Sequence, residues 1–488
     1  MHRTKILFSI ICLLKCTLLD AQIIAGDLAD PSIIRVDSVY YATGTSSEWA
    51  PYFPIYKSSN LRDWHQTGYV FDKAPEWTTG SFWAPEYYKI GDTYYIYYTA
   101  RRKSDNRSYI GVATSKYPDR GFTDHGIIIE HGKEAIDAFV FNDGGQLYIT
   151  FKAYGLDDRP IELLGARLSA DGLKTEGEFF TLLKDTSRAG MEGQSILKMN
   201  NYYYLFYSGG NCCGQGCSYN VSVARSANFK GPYQNFNGNP ILSENDAWKC
   251  MGHGTFVSSE DGTMYYLHHA YNKKSNVFTG REALISQMIY QEYTGWPLLK
   301  LLPNNTAVKT EENSFDRYWQ WDFRHATPSY KLQNGRLLLS GKQTKDNLCG
   351  IALTVRPTSD NFEMITAVVN RNKALKGLTI YGDANAAIGI GVEGDSVKVW
   401  KVEKNERIII KGVRVPPLNV RLKIKMSPDK TCSFFYETGK TTWIKLASDI
   451  DIKFLPQWDR SPRPGLHYRG SEEDKAEFSF FSIDNKQQ

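Results

Sequence analysis

DAFVFNDGGQLYITFKA, residues 137–153, reads as a single hairpin. Aromatic and aliphatic residues flank Asn142-Asp143-Gly144-Gly145, the residue types that a tight turn between antiparallel strands requires. The same order of strand, polar turn and aromatic strand recurs four more times. The segments are DPSIIRVDSVYYATG (30–44), APEYYKIGDTYYIYYTA (84–100), EGQSILKMNNYYYLFYSG (192–209) and HGTFVSSEDGTMYYLHHA (253–270). A third strand follows each hairpin, as FPIYKSSNLRDW, SYIGVATSKYPDRGF, ELLGARLSADG, NVSVARSANFKGPY and ALISQMIYQEYTGWP. The turn-rich close of each unit leads into one more short strand. Four strands per unit, repeated at this length, describe the blade of a propeller. The predicted fold is therefore all-β, a five-bladed β-propeller over residues 22–308. No amphipathic helical period separates the strands, which excludes an α/β barrel.

The repeat aligns particular side chains. Asp30, Asp137 and Glu192 each precede a second-strand tyrosine (Tyr41, Tyr148, Tyr203) by 11 residues, and Ala84 holds the same offset from Tyr95. His253 is the fifth equivalent, displaced slightly by a longer turn. The intervals from 30 through 84, 137 and 192 to 253 are 54, 53, 55 and 61 residues. Innermost strands line the central channel of a propeller, so equivalent positions converge on its axis. Three carboxylates and a histidine are thus expected to meet, whereas solvated surface acids have no reason to share one repeat position.

Hydrolysis of a glycosidic bond uses one carboxylic acid to protonate the leaving oxygen and one carboxylate to activate water. A third carboxylate beside the acid raises its pKa by like-charge repulsion. Local chemistry suggests Asp30, ahead of Pro31, as base, Glu192, with its longer reach, as acid, and Asp137 as the residue that tunes and orients the acid.

The segments ADPSIIRV, SFWAPE, IDAFVF, MEGQSILK with YYYLFYSGG, and GHGTFV resemble the motifs of glycoside hydrolase family 43. The resemblance implies a five-bladed, inverting enzyme with an Asp base, an Asp modulator and a Glu acid, and the motifs place these on Asp30, Asp137 and Glu192. One departure is that Ala138 follows Asp137 where the family motif continues with Pro.

Strand polarity predicts that the loops after the second strands border the substrate: SSEWAPYF, RRKSDNRS, GLDDRP, NCCGQGC and NKKSNVFTGRE. Trp49, Phe53 and Trp83 are candidate sugar platforms, with propeller core packing as the alternative for each. The resemblance places Arg281 against sugar hydroxyls, the alternative being a surface salt bridge. It also makes His253 face a channel cation, calcium, through water. Calcium prefers oxygen ligands, so a hydrogen-bonded channel histidine is an equal reading. No cofactor is otherwise required. In NCCGQGC only Cys213 and Cys217 have zinc-like spacing, so a disulfide or a vicinal thiol pair shaping the rim is favoured over a metal site. The loop is also similar to that of the arabinan-cleaving branch of the family.

Beyond the propeller, closely spaced alternating strands such as GRLLLSG, GLTIYG, SVKVWKV and VRLKIKM predict an antiparallel β-sandwich over 309–488. It resembles the concanavalin-like domain appended to family 43 propellers and is expected to brace the fold or close the pocket. MHRTKILFSIICLL and the small residue Ala21 read as a secretory signal over 1–21, too short in its apolar run to span a bilayer as a mature helix. The mature chain is thus expected to be exported, with six cysteines in an oxidising compartment. The 58 basic and 53 acidic residues are interspersed, which excludes a nucleic-acid stripe or polybasic membrane anchor.

The expected activity is exo-acting α-L-arabinofuranosidase on arabinan or arabinoxylan fragments. The alternatives are a β-xylosidase, an endo-arabinanase, or a non-catalytic carbohydrate-binding propeller.

Overall fold

The structure, a computed structural model, describes residues 22–154, 160–187, 189–275, 277–303, 315–416, 419–439, 442–456 and 458–486. The expected signal segment 1–21, most of GLDDRP, Asn276 and the expected domain boundary at 308/309 lie outside the described residues.

Five four-stranded antiparallel units form the N-terminal domain. The first comprises Ser32–Val36, Val39–Thr43, Tyr52–Ser58 and His65–Phe71, in that spatial order. The second and third, opened by Thr78–Ile90 and Glu134–Asp143, touch through one parallel bridge between Glu134 and Ser108. The fourth starts at Met191–Met199 and the fifth at Trp248–Ser258. In the fifth, Arg281–Gln291 pairs with both Gln22–Asp27 and Trp296–Leu301. The ring is therefore closed by the first described strand of the chain, a feature absent from the repeat itself.

Tyrosine-rich second strands follow from this packing. A blade is covered on both faces by its neighbours, so Thr93–Arg102 is buried at seven successive positions instead of alternating. Aromatic rings fill the wedges between blades. Phe53, Phe82 and Tyr98 pack between the first and second, and Phe141, Tyr148 and Phe229 between the third and fourth. Ile33, Val257 and Leu267 seal the fifth against the first.

The C-terminal domain is a sandwich of a seven-stranded and a six-stranded sheet. Its core contains Leu339, Ile388, Ile424, Phe434 and Phe478, all fully buried. The domains join through a short ladder in which Trp49–Ala50 pairs with Trp321–Asp322. Arg463 of the sandwich reaches Asp27 of the propeller at 3.4 Å.

Candidate active site

Asp30, Trp83, Asp137, Glu192 and His253, one from each blade, line a single cavity of about 1020 Å³. The inner strands of the second to fifth blades are bulged where these residues sit, and in the first blade Asp30 immediately precedes the regular strand Ser32–Val36. Asp30, Ala84, Asp137 and His253 share left-handed backbone, with φ of 50°, 41°, 59° and 43°. The fourth blade corrects the register expected from the tyrosines, because its left-handed residue is Gly193 (φ 58°), not Glu192. Ile136 pairs with Lys152 and Phe139 with Thr150 in the third blade; Glu192 pairs with Ser208 and Ser195 with Phe206 in the fourth. Glu192 is thus level with Ile136, one residue before the bulge. Three consecutive tyrosines, 202–204, gave the count no unique anchor; the equivalent of Tyr148 is Tyr204, opposite Leu197. Glycine is needed at 193, where a Cβ would lie 2.7 Å from Cγ of His253. Its N–H donates to Oδ2 of Asp137 at 3.1 Å.

Asp30 is held as an anion. Thr45 Oγ1 donates to its Oδ2 at 2.6 Å and Arg281 Nη1 to its Oδ1 at 2.9 Å. Its own N–H donates to Nδ1 of His269 at 3.0 Å. Burial alone would raise the Asp30 pKa, but Arg281 first and His253 second hold it well below the usual carboxylate range. Burial pushes His269 down to about 4, so its imidazole is neutral.

Asp137 and Glu192 diverge. Burial, reinforced by the nearby Glu192, raises Asp137. Burial would raise Glu192 too, but Lys152 overrides it, aided by Tyr219, and the net direction is down. Lys152 pairs with Oε2 of Glu192, and the Tyr219 hydroxyl donates to Oε1 at 2.9 Å. One carboxylate held ionised and two further sheltered carboxyls with opposed pKa shifts are the ingredients of acid–base chemistry on a neutral substrate.

The other expected site residues separate into two groups. Trp83 lines the cavity, and its Nε1 donates to Oδ2 of Asp459 at 3.1 Å. Arg281 also lines it, and its ion pair with Asp30 is buried rather than superficial. Trp49 and Phe53 are corrected: neither lines the cavity. Trp49 is buried between the domains, against Tyr381 and beneath the guanidinium of Arg463, 4.2 Å from its ring centre. The sandwich docks on the loop that carries Trp49 and covers it. Phe53 turns inward at φ 55° and packs among Phe71, Phe82 and Tyr98.

Nδ1 of His253 lies 3.4 Å from Oδ1 of Asp30 and 3.8 Å from Oδ2 of Asp137. No group of three or more His, Cys, Asp or Glu among the described residues is arranged to hold a metal ion. These side chains alone do not fit calcium, which takes six to eight oxygens.

In the NCCGQGC loop, Cys212 is bonded to Cys213 and Cys217 to Cys250. Residues 210–216 form one wall of the cavity.

Lys152, Tyr219 and the Trp458–Asp459 pair were not anticipated. Lys152 sits opposite Ile136 in the second strand of the hairpin that carries Asp137, so register alone could have found it. Tyr219 lies in an irregular loop, and Asp459 comes from the other domain, where no local pattern marks it.

Comparison with known proteins agrees with this geometry. The family model for glycosyl hydrolases family 43 matches residues 20–297, and that for the beta xylosidase C-terminal concanavalin A-like domain matches residues 311–461. An extracellular exo-α-(1→5)-L-arabinofuranosidase of Cellvibrio japonicus is 30% identical over 311 residues, covering 56% of this chain and 86% of that protein. An extracellular endo-α-(1→5)-L-arabinanase of Bacillus subtilis is 26% identical over 293 residues, covering 55% and 87%. The crystal structure of a family 43 protein from Bacillus licheniformis superposes with a TM-score of 0.81 at 21% identity, covering 95% of this chain and 99% of that one. A xylan β-1,4-xylosidase from Bacillus halodurans gives 0.79 at 19% identity, covering 96% and 100%. The five-blade ring, the axial carboxylates and the appended sandwich all fit one conclusion: this chain belongs to glycosyl hydrolases family 43, and it is a glycoside hydrolase.

Proposed function

We propose that this glycoside hydrolase releases terminal arabinofuranose from arabinan or arabinoxylan fragments with inversion at the anomeric carbon. In this reading Asp30 is the general base, Glu192 the general acid, and Asp137 the residue that orients and tunes the acid. The observation that carries it is the set of three carboxylates facing one cavity, Asp30 and Asp137 buried and Glu192 half-buried, with Asp30 held ionised by Arg281. An ionised base can take a proton from water as the water attacks the anomeric carbon, while a protonated carboxyl across the cavity donates to the leaving oxygen. A propeller that only bound sugar would have no use for three sheltered acids, each disfavoured by desolvation.

Exo action is supported by the wall that the sandwich contributes. Pro456, Trp458 and Asp459 line the cavity, and Asp459 bonds Trp83 and Ser47 across the domain boundary. Arabinose as the sugar is supported by arabinan-cleaving relatives of the propeller half. The second reading is β-xylosidase, favoured by the C-terminal match to the domain named for those enzymes. Two disulfides support an exported protein in an oxidising compartment. Among the described residues no helix is long and apolar enough to cross a membrane.

The test is incubation with nitrophenyl α-L-arabinofuranoside, nitrophenyl β-D-xyloside and arabino-oligosaccharides, following the first-formed anomer by NMR. Arabinose of inverted configuration is expected. Xylose release alone would establish the second reading. No release from any of these substrates would sink the hydrolytic assignment to them. Glu192→Gln is expected to keep the fold and lose turnover of oligosaccharides, whose leaving groups need protonation.

A further inference from the structure

Both carboxylate oxygens of Glu192 are engaged by neighbouring side chains. Lys152 Nζ pairs with Oε2 and the Tyr219 hydroxyl donates to Oε1 at 2.9 Å. An ionised carboxylate only accepts hydrogen bonds, and an ammonium plus a phenol satisfy it in that state. The pair is sheltered, with side-chain exposures of 11% for Lys152 and 16% for Glu192, so solvent screens it weakly. A proton donor, however, must carry a proton when the glycosidic bond breaks. The arrangement around Glu192 therefore suits the residue after it has given up its proton, not before.

We propose that Lys152 is a positioning residue that holds Glu192 ionised in the free protein and releases it when a hydroxyl of a bound sugar takes over the ammonium. This rests on the reading of Glu192 as the acid. Once released, the carboxylate takes a proton from a hydronium ion of the solvent, leaving water. It then passes that proton to the glycosidic oxygen as the bond to the anomeric carbon breaks. The carboxylate so regenerated is again a partner for Lys152. A sugar, with several hydroxyls and no charge, is the ligand class that can accept from an ammonium without replacing its countercharge.

The other titratable groups around Glu192 come from several elements. Asp137 and Glu134 belong to Glu134–Asp143 of the third blade, His253 to Trp248–Ser258 of the fifth, and Tyr219 to the loop before Asn220–Ser226. The two acids disfavour a second negative charge and His253 favours it. Lys152, from Gln146–Tyr154, is the cation in direct contact with a Glu192 oxygen.

The test is a carboxyl-13C titration of glutamate-labelled protein, with the Glu192 resonance assigned by its loss in Glu192→Gln. In Lys152→Met the Glu192 midpoint is expected to rise by about one to three pH units, as removal of an adjacent opposite charge requires. In Lys152→Arg it is expected to stay near the wild-type value. Saturating L-arabinose or D-xylose is expected to raise the midpoint in the wild type, and by much less in Lys152→Met. The basic limb of kcat/KM for oligosaccharides should move up with the midpoint in Lys152→Met. An unchanged midpoint in that variant overturns the proposal. A wild-type midpoint that ignores both sugars overturns the release step, and this measurement needs no variant to fold. A shifted midpoint in a protein that hydrolyses none of the substrates would uphold the pair and discard the function instead.

Discussion

Nη1 of Arg281 donates to Oδ1 of Asp30 across 2.9 Å, with both side chains buried. The two residues are 251 positions apart and meet because the fifth blade closes against the first. The bond determines the ionisation of Asp30, since without cations around it burial would push this carboxyl up.

Replacing Arg281 by Met should therefore move Asp30 upward by about one to three pH units. The wild-type shift is downward, so the stability it contributes is present above the unfolded pKa of about 3.9 and lost only as pH falls through the folded value. Arg281→Met should lose that contribution at neutral pH, roughly 3 kcal/mol by analogy with broken buried ion pairs. Thermal unfolding at pH 7 measures it. With Asp30 as base, the acidic limb of kcat/KM should shift to higher pH by the same interval. A limb that stays in place would remove Asp30 from that role.

Gly193→Ala should disturb the acid without touching a carboxylate. Its φ of 58° disfavours any L side chain by about 1–2 kcal/mol, and the new Cβ would meet His253 at 2.7 Å. Lower Tm and a fall in kcat of at least roughly tenfold are expected. Wild-type kcat in this variant would show that the bulge does not position Glu192.

Glu86 lies deeper in the ring and is fully enclosed. Ser32 Oγ donates to its Oε2 at 2.7 Å and the Val140 N–H to its Oε1 at 3.3 Å, tying the second blade to the first and third. Burial pushes its pKa up to about 8. A raised carboxyl binds a proton in the folded state that the unfolded chain has already lost, so stability should fall as pH rises from about 5 to 8. Glu86→Gln should flatten that decline, as read by Tm across the interval. Parallel slopes for variant and wild type would show that Glu86 ionises normally.

Asp459→Ala tests the wall lent by the sandwich. Trp83 Nε1, at 3.1 Å, would lose its acceptor, and Ser47 Oγ would keep only the backbone carbonyl of residue 459 at 3.2 Å. A loosened wall should raise KM for short oligosaccharides roughly tenfold, equivalent to about 1.4 kcal/mol, with a smaller change in kcat. A drop in Tm at constant KM would assign the contact to domain bracing alone.

Much of the architecture is legible in the chain because a propeller is built locally. Each blade is a meander of adjacent strands, so its turns, spacing and aromatic content all lie within one repeat, and Asp30, Ala84, Asp137 and His253 could be aligned by counting. Counting failed at Glu192 by one residue, because three successive tyrosines offered equivalent anchors and only hydrogen-bond pairing distinguishes them. It also failed for Trp49 and Phe53. Their segment was rightly placed after a second strand, although Phe53 already belongs to the strand Tyr52–Ser58, and whether its aromatics face sugar, core or another domain depends on what packs on top.

Composition and periodicity by themselves determined the five-blade ring, the sandwich and the meeting of Asp30, Asp137 and His253 with an acid one residue off the repeat position, since repeat positions on successive blades must approach a common axis. The tertiary structure alone decided the charge state of those acids. Arg281, Lys152 and Tyr219 reach Asp30 and Glu192 from other strands and blades. Electrostatic interaction depends on distance through a low-dielectric interior, and distance across a closed ring is not written in the separation of residues along the chain.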